Sequence, residues 1–232
     1  MNVQGYQKLT LLDYPGKVAC TVFTGGCNLR CPFCHNASLV EHPAEQESRE
    51  AEALAYLEKR RGILEGVCVT GGEPLLQPDL SVFLRKVKDM GYAVKLDTNG
   101  SEPEKLRKIL SEGVVDYVAM DVKSSPDAYR KAIGREMDFA PFAESMRILR
   151  ESGVPYEFRT TLVKGIHEAR DVEELGKLLA GEKRYFLQGF VDSGNLIEEG
   201  AGFQPFSEEE MLRFLDVIRK TVPEAALRGQ KE

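Results

Sequence analysis

Three of the five cysteines in this 232-residue chain fall within the ten residues CNLRCPFCHN, as Cys27, Cys31 and Cys34. Thiols gathered at C-x3-C-x2-C spacing serve metal binding or redox chemistry. Four such chemistries overlap in this stretch. CPFCH has the form of a covalent haem attachment site, but that attachment is made outside the cytoplasm and leaves Cys27 without a role. CPFC has the form of a disulfide exchange pair, with Pro32 suited to a first helical turn, and Cys27 is again idle. A zinc site of Cys27, Cys31, Cys34 and His35 has four donors. Adjacent Cys34 and His35 would have to bend onto one ion, however, and no second CxxC completes the site. An iron–sulfur cluster uses all three thiols. A four-iron cubane ordinarily takes four thiolates, so three leave one iron open to a substrate or cofactor. Gly25 and Gly26 would let the loop wrap closely, with backbone N–H groups donating to the sulfides.

The elements that position this loop follow an α/β rhythm. Strands are predicted at 18–24, 66–70, 92–98, 116–123, 156–163 and 184–190, each mostly apolar rather than alternating, as in a parallel sheet covered by helices. Helices are predicted at 48–61, 80–90, 103–112, 126–133, 139–152, 168–180 and 207–220. About six β/α units result, compatible with a doubly wound sheet or a partial barrel. The polar motifs TGGEP, DTNG, MDVK, FRTT and LQGF all fall at or near the C-terminal ends of strands. In both architectures that edge carries the active site.

The net charge of −6 argues against a nucleic-acid partner, which calls for a basic face. The first residues, MNVQGYQKLTLLDYPG, contain no apolar segment of the signal-peptide kind, and no run approaches the ~18 apolar residues of a membrane helix. The expectation is a single domain spanning 1–232, with its core at about 16–190 and a C-terminal helix at about 207–220, in the cytoplasm and without a membrane partner. Thiols stay reduced in that compartment, so clustered cysteines there mean metal or catalysis.

The cysteine spacing, with Phe33 just before the last cysteine and TGGEP on the second strand, resembles the radical S-adenosylmethionine (SAM) superfamily. GGCNLRCPFCHN, with DYPG upstream, resembles more narrowly the glycyl-radical activating enzymes, above all those that serve anaerobic ribonucleoside-triphosphate reductase. The resemblance runs from about Gly5 to Phe190. It implies a partial (β/α)6 TIM-like barrel, an oxidoreductase activity, and a [4Fe-4S] cluster on Cys27, Cys31 and Cys34 as metal ligands. SAM would chelate the open iron, and its reductive cleavage would give a 5′-deoxyadenosyl radical that takes hydrogen from a glycine of the partner. The cofactors carry that chemistry, so no side chain is assigned a catalytic role.

The resemblance also assigns a SAM site. Thr70, Gly71, Gly72 and Glu73 would meet the SAM amino group, through a backbone carbonyl and the Glu73 carboxylate, with the glycines allowing close approach. Asp97, Asp121 and Lys123 would bind SAM and a monovalent cation nearby. Arg159, a charge within a strand, either grips the SAM carboxylate bidentately or forms a structural ion pair. Gln188 stands where some relatives carry histidine, and Asn36 is the last residue of CHN. Cys20 and Cys68 read as buried small hydrophobes. His42 and His167 read as surface loop residues, and the charges of 102–112 and 168–177 as solvated helix faces.

No cysteine occurs between Cys34 and the strand leading to TGGEP, which excludes an inserted ferredoxin-like module. The expected partners are a glycyl-radical enzyme, here the anaerobic reductase, and a flavodoxin- or ferredoxin-type electron donor. Activation of pyruvate formate-lyase or another glycyl-radical enzyme is an alternative. Others are a small-molecule radical enzyme of the 7-carboxy-7-deazaguanine synthase type, and a non-catalytic zinc or redox protein.

Overall fold

The computed structural model describes residues 1–41, 47–192, 194–198 and 200–229; His42 lies outside them. The elements run in the order β1 (Val3–Thr10), β2 (Ala19–Thr24), α1 (Ala37–Glu41), α2 (Glu50–Lys59), β3 (Gly66–Gly71), α3 (Leu80–Asp89), β4 (Ala93–Thr98) and α4 (Pro103–Ser111). There follow β5 (Tyr117–Asp121), α5 (Tyr129–Ile133), α6 (Ala140–Glu151), β6 (Tyr156–Leu162), α7 (Ala169–Leu178), β7 (Tyr185–Gly189), α8 (Glu208–Arg219) and β8 (Ala226–Arg228). Strand order in the sheet is chain order, β1 through β8, so the α/β class with an open sheet is as expected. The chain forms two compact units. The first holds Met1–Asn28, Ser38–Ala119 and Pro141–Tyr156, and the second Leu29–Ala37, Met120–Ala140 and Glu157–Glu232. The cysteine motif is thus divided, with Cys27 in the first unit and Cys31 and Cys34 in the second.

In the first unit β2, β3 and β4 pair in parallel, Cys20 opposite Val67 and Val67 opposite Val94. Their side chains are buried along almost the whole length of each strand, which is why the sequence shows apolar runs instead of alternation. Helix α3 closes one face with Phe83, Leu84 and Val87 and ends with Lys86 and Lys88 in its last turn, favourable to its dipole. The unexpected element is β1. It pairs antiparallel with β2, Tyr6 opposite Val22, in a register broken by two irregularities. Gly5 and the half-exposed polar residues of VQGYQKLT blur its period, and the fold reveals it only because α2 covers the edge. The Arg49 amide donates to the Val3 carbonyl at 2.8 Å and the Tyr56 hydroxyl to the Lys8 carbonyl at 2.8 Å, which blocks pairing with another chain.

In the second unit β6, β7 and β8 are parallel, with Thr161, Gln188 and Arg228 in register. A reciprocal capping box starts α8 (Ser207 with Glu210), and at the start of α7 the Asp171 carboxylate accepts from the Glu168 amide at 2.9 Å. Short β8 was not foreseen: three residues carry too little pattern. It is held by Arg228, which is bonded to the fully buried Glu157 and stacked 3.8 Å from the Phe186 ring centroid.

Candidate functional site

In the first unit the TGGEP turn packs directly on the chain leading into the cysteine loop. The Gly72 amide donates to the Thr24 carbonyl and the Glu73 amide to the Gly26 carbonyl, both at 2.8 Å, and the Thr24 hydroxyl donates to the Thr70 carbonyl at 3.0 Å. A Cβ on Gly71 would lie 2.4 Å from the Thr24 nitrogen, and one on Gly72 would lie 2.0 Å from the Gly26 oxygen. The φ of +112° at Gly71 also favours glycine. These glycines pack two backbones together. Glu73 is also held from within the protein. It is fully buried, and its carboxylate accepts from the Leu75 amide (3.0 Å), the Thr98 hydroxyl (2.8 Å) and the Asn99 amide (2.6 Å). Those bonds tie GGEP to DTNG and make Glu73 a strut.

Asn99, which the sequence analysis passed over, reaches the cysteine motif. Its side-chain amide nitrogen lies 3.6 Å from the Cys27 sulfur and 3.2 Å from the side-chain Oδ1 of Asn28. Asp97 is buried on β4, where its carboxylate accepts from Lys95, and Cys68 Sγ lies 3.6 Å from it. Cys68 is also 3.8 Å from Lys95 Nζ, so it belongs to a buried polar cluster instead of serving as a plain apolar filler. Cys20 does read as filler: burial raises its thiol to about 12.

The second unit carries Cys31 and Cys34, with the Cys34 amide turned onto the Cys31 carbonyl at 3.0 Å. The loop before them is clamped by the end of α5. The Arg30 amide donates to the Ile133 carbonyl at 2.9 Å, and a Cβ on Gly134 (φ +60°) would lie 2.1 Å from the Arg30 oxygen. Phe33 sits edge-on to His167, with ring centroids 6.1 Å apart, and His35 stacks on Phe190 at 5.3 Å. His167 is buried, contrary to the surface expectation. Its Nδ1 accepts from the Val163 amide at 3.1 Å, which leaves Nε2–H to donate to the Lys123 carbonyl at 2.8 Å. Burial lowers its pKa, consistent with a neutral ring. It therefore braces both the cysteine loop and the MDVK strand end.

At that strand end Asp121 lies between two cations. Arg159 Nε donates to Oδ1 at 2.8 Å and Lys123 Nζ to Oδ2 at 3.0 Å. Burial would raise the Asp121 carboxyl, but Arg159 and Lys123 outweigh it and hold it well below the usual range. Lys123 is held in its charged form, with Asp121 and then Cys31 and Cys34 overcoming the effect of burial. Arg159 thus forms an ion pair with Asp121. Gln188 and Asn36 are half-buried.

A profile of the radical SAM superfamily matches residues 21–179. The chain belongs to the radical SAM superfamily. A Methanocaldococcus jannaschii protein assigned by name to the glycyl-radical enzyme activating enzymes is 31% identical over 225 residues, covering 94% of this chain and 91% of that one. The pyruvate formate-lyase-activating enzyme of Listeria monocytogenes is 31% identical over 189 residues, 76% of this chain and 74% of its own. Among solved structures, Streptococcus suis SuiB bound to precursor peptide SuiA gives a TM-score of 0.70 at 14% identity, covering 90% of this chain and 48% of SuiB. Methylornithine synthase gives 0.65 at 16% identity, covering 90% of this chain and 63% of its own. These structures show the fold, and the chain spans about half the length of SuiB.

The superfamily uses a [4Fe-4S] cluster and SAM. The donor chemistry here fits that cluster. All three motif cysteines are free thiols; an amide is directed at Cys27, and the cation at Lys123 is stabilised by Cys31 and Cys34. Three sulfur donors suit the soft ligation of iron–sulfur centres. Among the described residues, no three His, Cys, Asp or Glu side chains surround a single ion, so the fit rests on thiol chemistry and not on a one-ion cage. The monovalent cation finds less support, since each Asp121 oxygen already meets a side-chain cation.

Proposed function

We propose that this chain is an activase that installs a glycyl radical in a partner enzyme, the anaerobic ribonucleoside-triphosphate reductase. The observation that carries the activase reading is the end-to-end match to the M. jannaschii protein, 94% of this chain against 91% of that one. When bound at Cys27, Cys31 and Cys34, the cluster supplies the electron that cleaves SAM to a 5′-deoxyadenosyl radical, the species that takes a glycine hydrogen. The side chains bind and orient. Lys123 and Arg159 together exceed Asp121 by one positive charge, which suits them to the SAM carboxylate. The backbone at Thr70, Gly71 and Gly72, with Asp97, Asn36 and Gln188, supplies the remaining polar contacts. Glu73 acts indirectly, by fixing the turn. The DYPG and GGCNLRCPFCHN segments favour the reductase as partner, while the Listeria match supports pyruvate formate-lyase as the second candidate.

The test is anaerobic reconstitution with iron, sulfide and SAM, reduction, and mixing with each enzyme in turn. Expected are methionine, 5′-deoxyadenosine and a glycyl-radical signal by electron paramagnetic resonance on the reductase. A signal on pyruvate formate-lyase alone selects the second partner. SAM cleavage that couples only to a small molecule, with no protein radical, defeats the activase reading.

A further inference from the structure

We propose that Asn99 is a positioning residue for Cys27, and that its side-chain N–H, donated to the Cys27 sulfur, makes the bound iron–sulfur cluster easier to reduce. This inference rests on cluster binding by the cysteine loop and is independent of which enzyme receives a radical.

The orientation of the Asn99 amide carries the argument. Of its two ends, Oδ1 only accepts hydrogen bonds and Nδ2 only donates them. The Ser101 backbone amide, a donor, faces one end at 2.8 Å, so that end is the oxygen. The nitrogen is thereby turned the other way, 3.6 Å from Cys27 Sγ and 3.2 Å from Asn28 Oδ1. Its two hydrogens thus have two acceptors, and one of them is the sulfur. The side chain has little freedom to leave. Asn99 is 6% exposed, and its backbone amide donates to the Glu73 carboxylate at 2.6 Å. Asn28, next to Cys27, is held in turn by Ser101, with Nδ2 donating to Oγ at 2.8 Å. Cys27, Asn28, Glu73, Asn99 and Ser101 all belong to the first unit, so donor and sulfur share one mount.

A residue that only shaped the turn would need Oδ1 alone, and aspartate could serve as well. What asparagine adds over aspartate is a donor aimed at sulfur. Reduction adds one electron to a cluster, and part of the added negative charge resides on the ligand sulfurs. A donor held at a sulfur therefore stabilises the reduced form more than the oxidised one. Hydrogen bonds to the sulfurs are among the determinants of an iron–sulfur potential, and burial strengthens them. Asn99 itself neither gains nor loses an electron or a proton. It sets how strong a reductant the loaded protein needs.

The experiment measures the midpoint potential of the reconstituted wild type, N99A and N99D by electron paramagnetic resonance during a mediated redox titration. N99D is the stricter variant. Its side chain keeps the shape and the acceptor for the Ser101 amide, and loses only the N–H. N99A should be disfavoured about tenfold in its reduction equilibrium, a potential about 59 mV lower for one electron. N99D should lie lower still at pH 8, where an aspartate is charged. Both should load iron as fully as the wild type. An N99D potential equal to that of the wild type, at full iron, would overturn the proposal. So would incomplete iron loading in N99D, because Asn99 would then hold the loop together instead of tuning it. A wild type that takes up no cluster would remove the reading on which the proposal rests. The expected shift, together with no glycyl radical on any partner, would support the role of Asn99 while defeating the activase reading.

Discussion

Glu73 and Asp121 are carboxylates placed just past, or at, the C-terminal end of a strand, β3 and β5. They have opposite environments. Glu73 is fully buried and is met by two backbone amides and a hydroxyl. Asp121 keeps 29% of its side chain exposed and is met by an ammonium and a guanidinium. The first arrangement fixes two turns against each other. The second gathers charge that a zwitterionic ligand can recognise. A carboxylate at the active edge of a sheet is therefore not by its position a ligand-binding group; its partners decide.

The strongest way to break the strut side of this comparison is through the backbone that Glu73 braces. Gly72→Ala puts a methyl 2.0 Å from a carbonyl oxygen that is itself hydrogen-bonded. The expected loss is about 3 kcal/mol or more, a fall in Tm of roughly 10 °C. Gly5→Ala, where a Cβ meets nothing within 4 Å, should change stability by less than about 0.5 kcal/mol. Thermal unfolding of both variants decides the matter, and equal Tm values would contradict the packing role.

A second pair probes the mount of the cysteine loop. Gly134 (φ +60°) presses on the Arg30 oxygen, whereas Gly153 (φ +72°) has open space around it. Both alanine variants carry left-handed backbone strain of about 1 kcal/mol. Only Gly134→Ala adds the clash, so it should lose roughly 2 kcal/mol more and retain about half the iron on reconstitution. Iron analysis separates the two, and full iron in Gly134→Ala would show that the clamp does not position the loop.

Replacing the carboxylates themselves sharpens the contrast. Glu73→Gln should cost about 2 kcal/mol, because an amide cannot accept all three donors. Asp121→Asn should cost about 1–2 kcal/mol, less than a fully buried pair would, because the site is partly exposed. The order reverses for the ligand. Asp121→Asn loosens the anchor that orients Lys123 and Arg159 and should weaken SAM binding about tenfold despite the added positive charge, while Glu73→Gln changes it by less than about threefold. Denaturant titration and equilibrium SAM binding to the reconstituted proteins measure the two quantities separately.

The sheet and its edge were legible in the sequence because buried parallel strands leave uninterrupted apolar runs and the polar motifs interrupt them at one end. β1 and β8 were not, one because half its length faces solvent, the other because three residues show no period. Cys27, Cys31 and Cys34 announced themselves by spacing. The packing of Gly71 and Gly72 on the Thr24–Gly26 backbone, and the three donors on Glu73, were not legible, because a motif shows which residues occur together and not what each one touches. Asn99 sits within DTNG, yet asparagine before glycine reads first as a turn signal. His167 looked like a loop residue, since nothing local to KGIHE reveals that Phe33, Val163 and Lys123 surround it. Lys95 was hidden in an otherwise apolar strand, where a buried cation is rare unless its partner is known.

The smallest effect should be the most discriminating. Asp121 has a folded-state pKa below its unfolded one, so its contribution is present above the unfolded value of about 4 and is lost as pH falls toward the folded value. The stability gap between wild type and Asp121→Asn should thus be flat from pH 7 to about pH 5 and narrow below about pH 4. Salt should narrow it too. The Debye length falls from about 10 Å at 0.1 M to about 3 Å at 1 M, and Asp121, Lys123 and Arg159 keep 29%, 22% and 14% of their side chains exposed. A narrowing of about 0.5 kcal/mol over that range is expected for Asp121→Asn. Glu73 has no exposed surface for ions to approach, so the gap for Glu73→Gln should stay constant with salt. Equal salt responses in the two variants would mean that both carboxylates are held by the same kind of field, and the distinction between strut and charge site would fail.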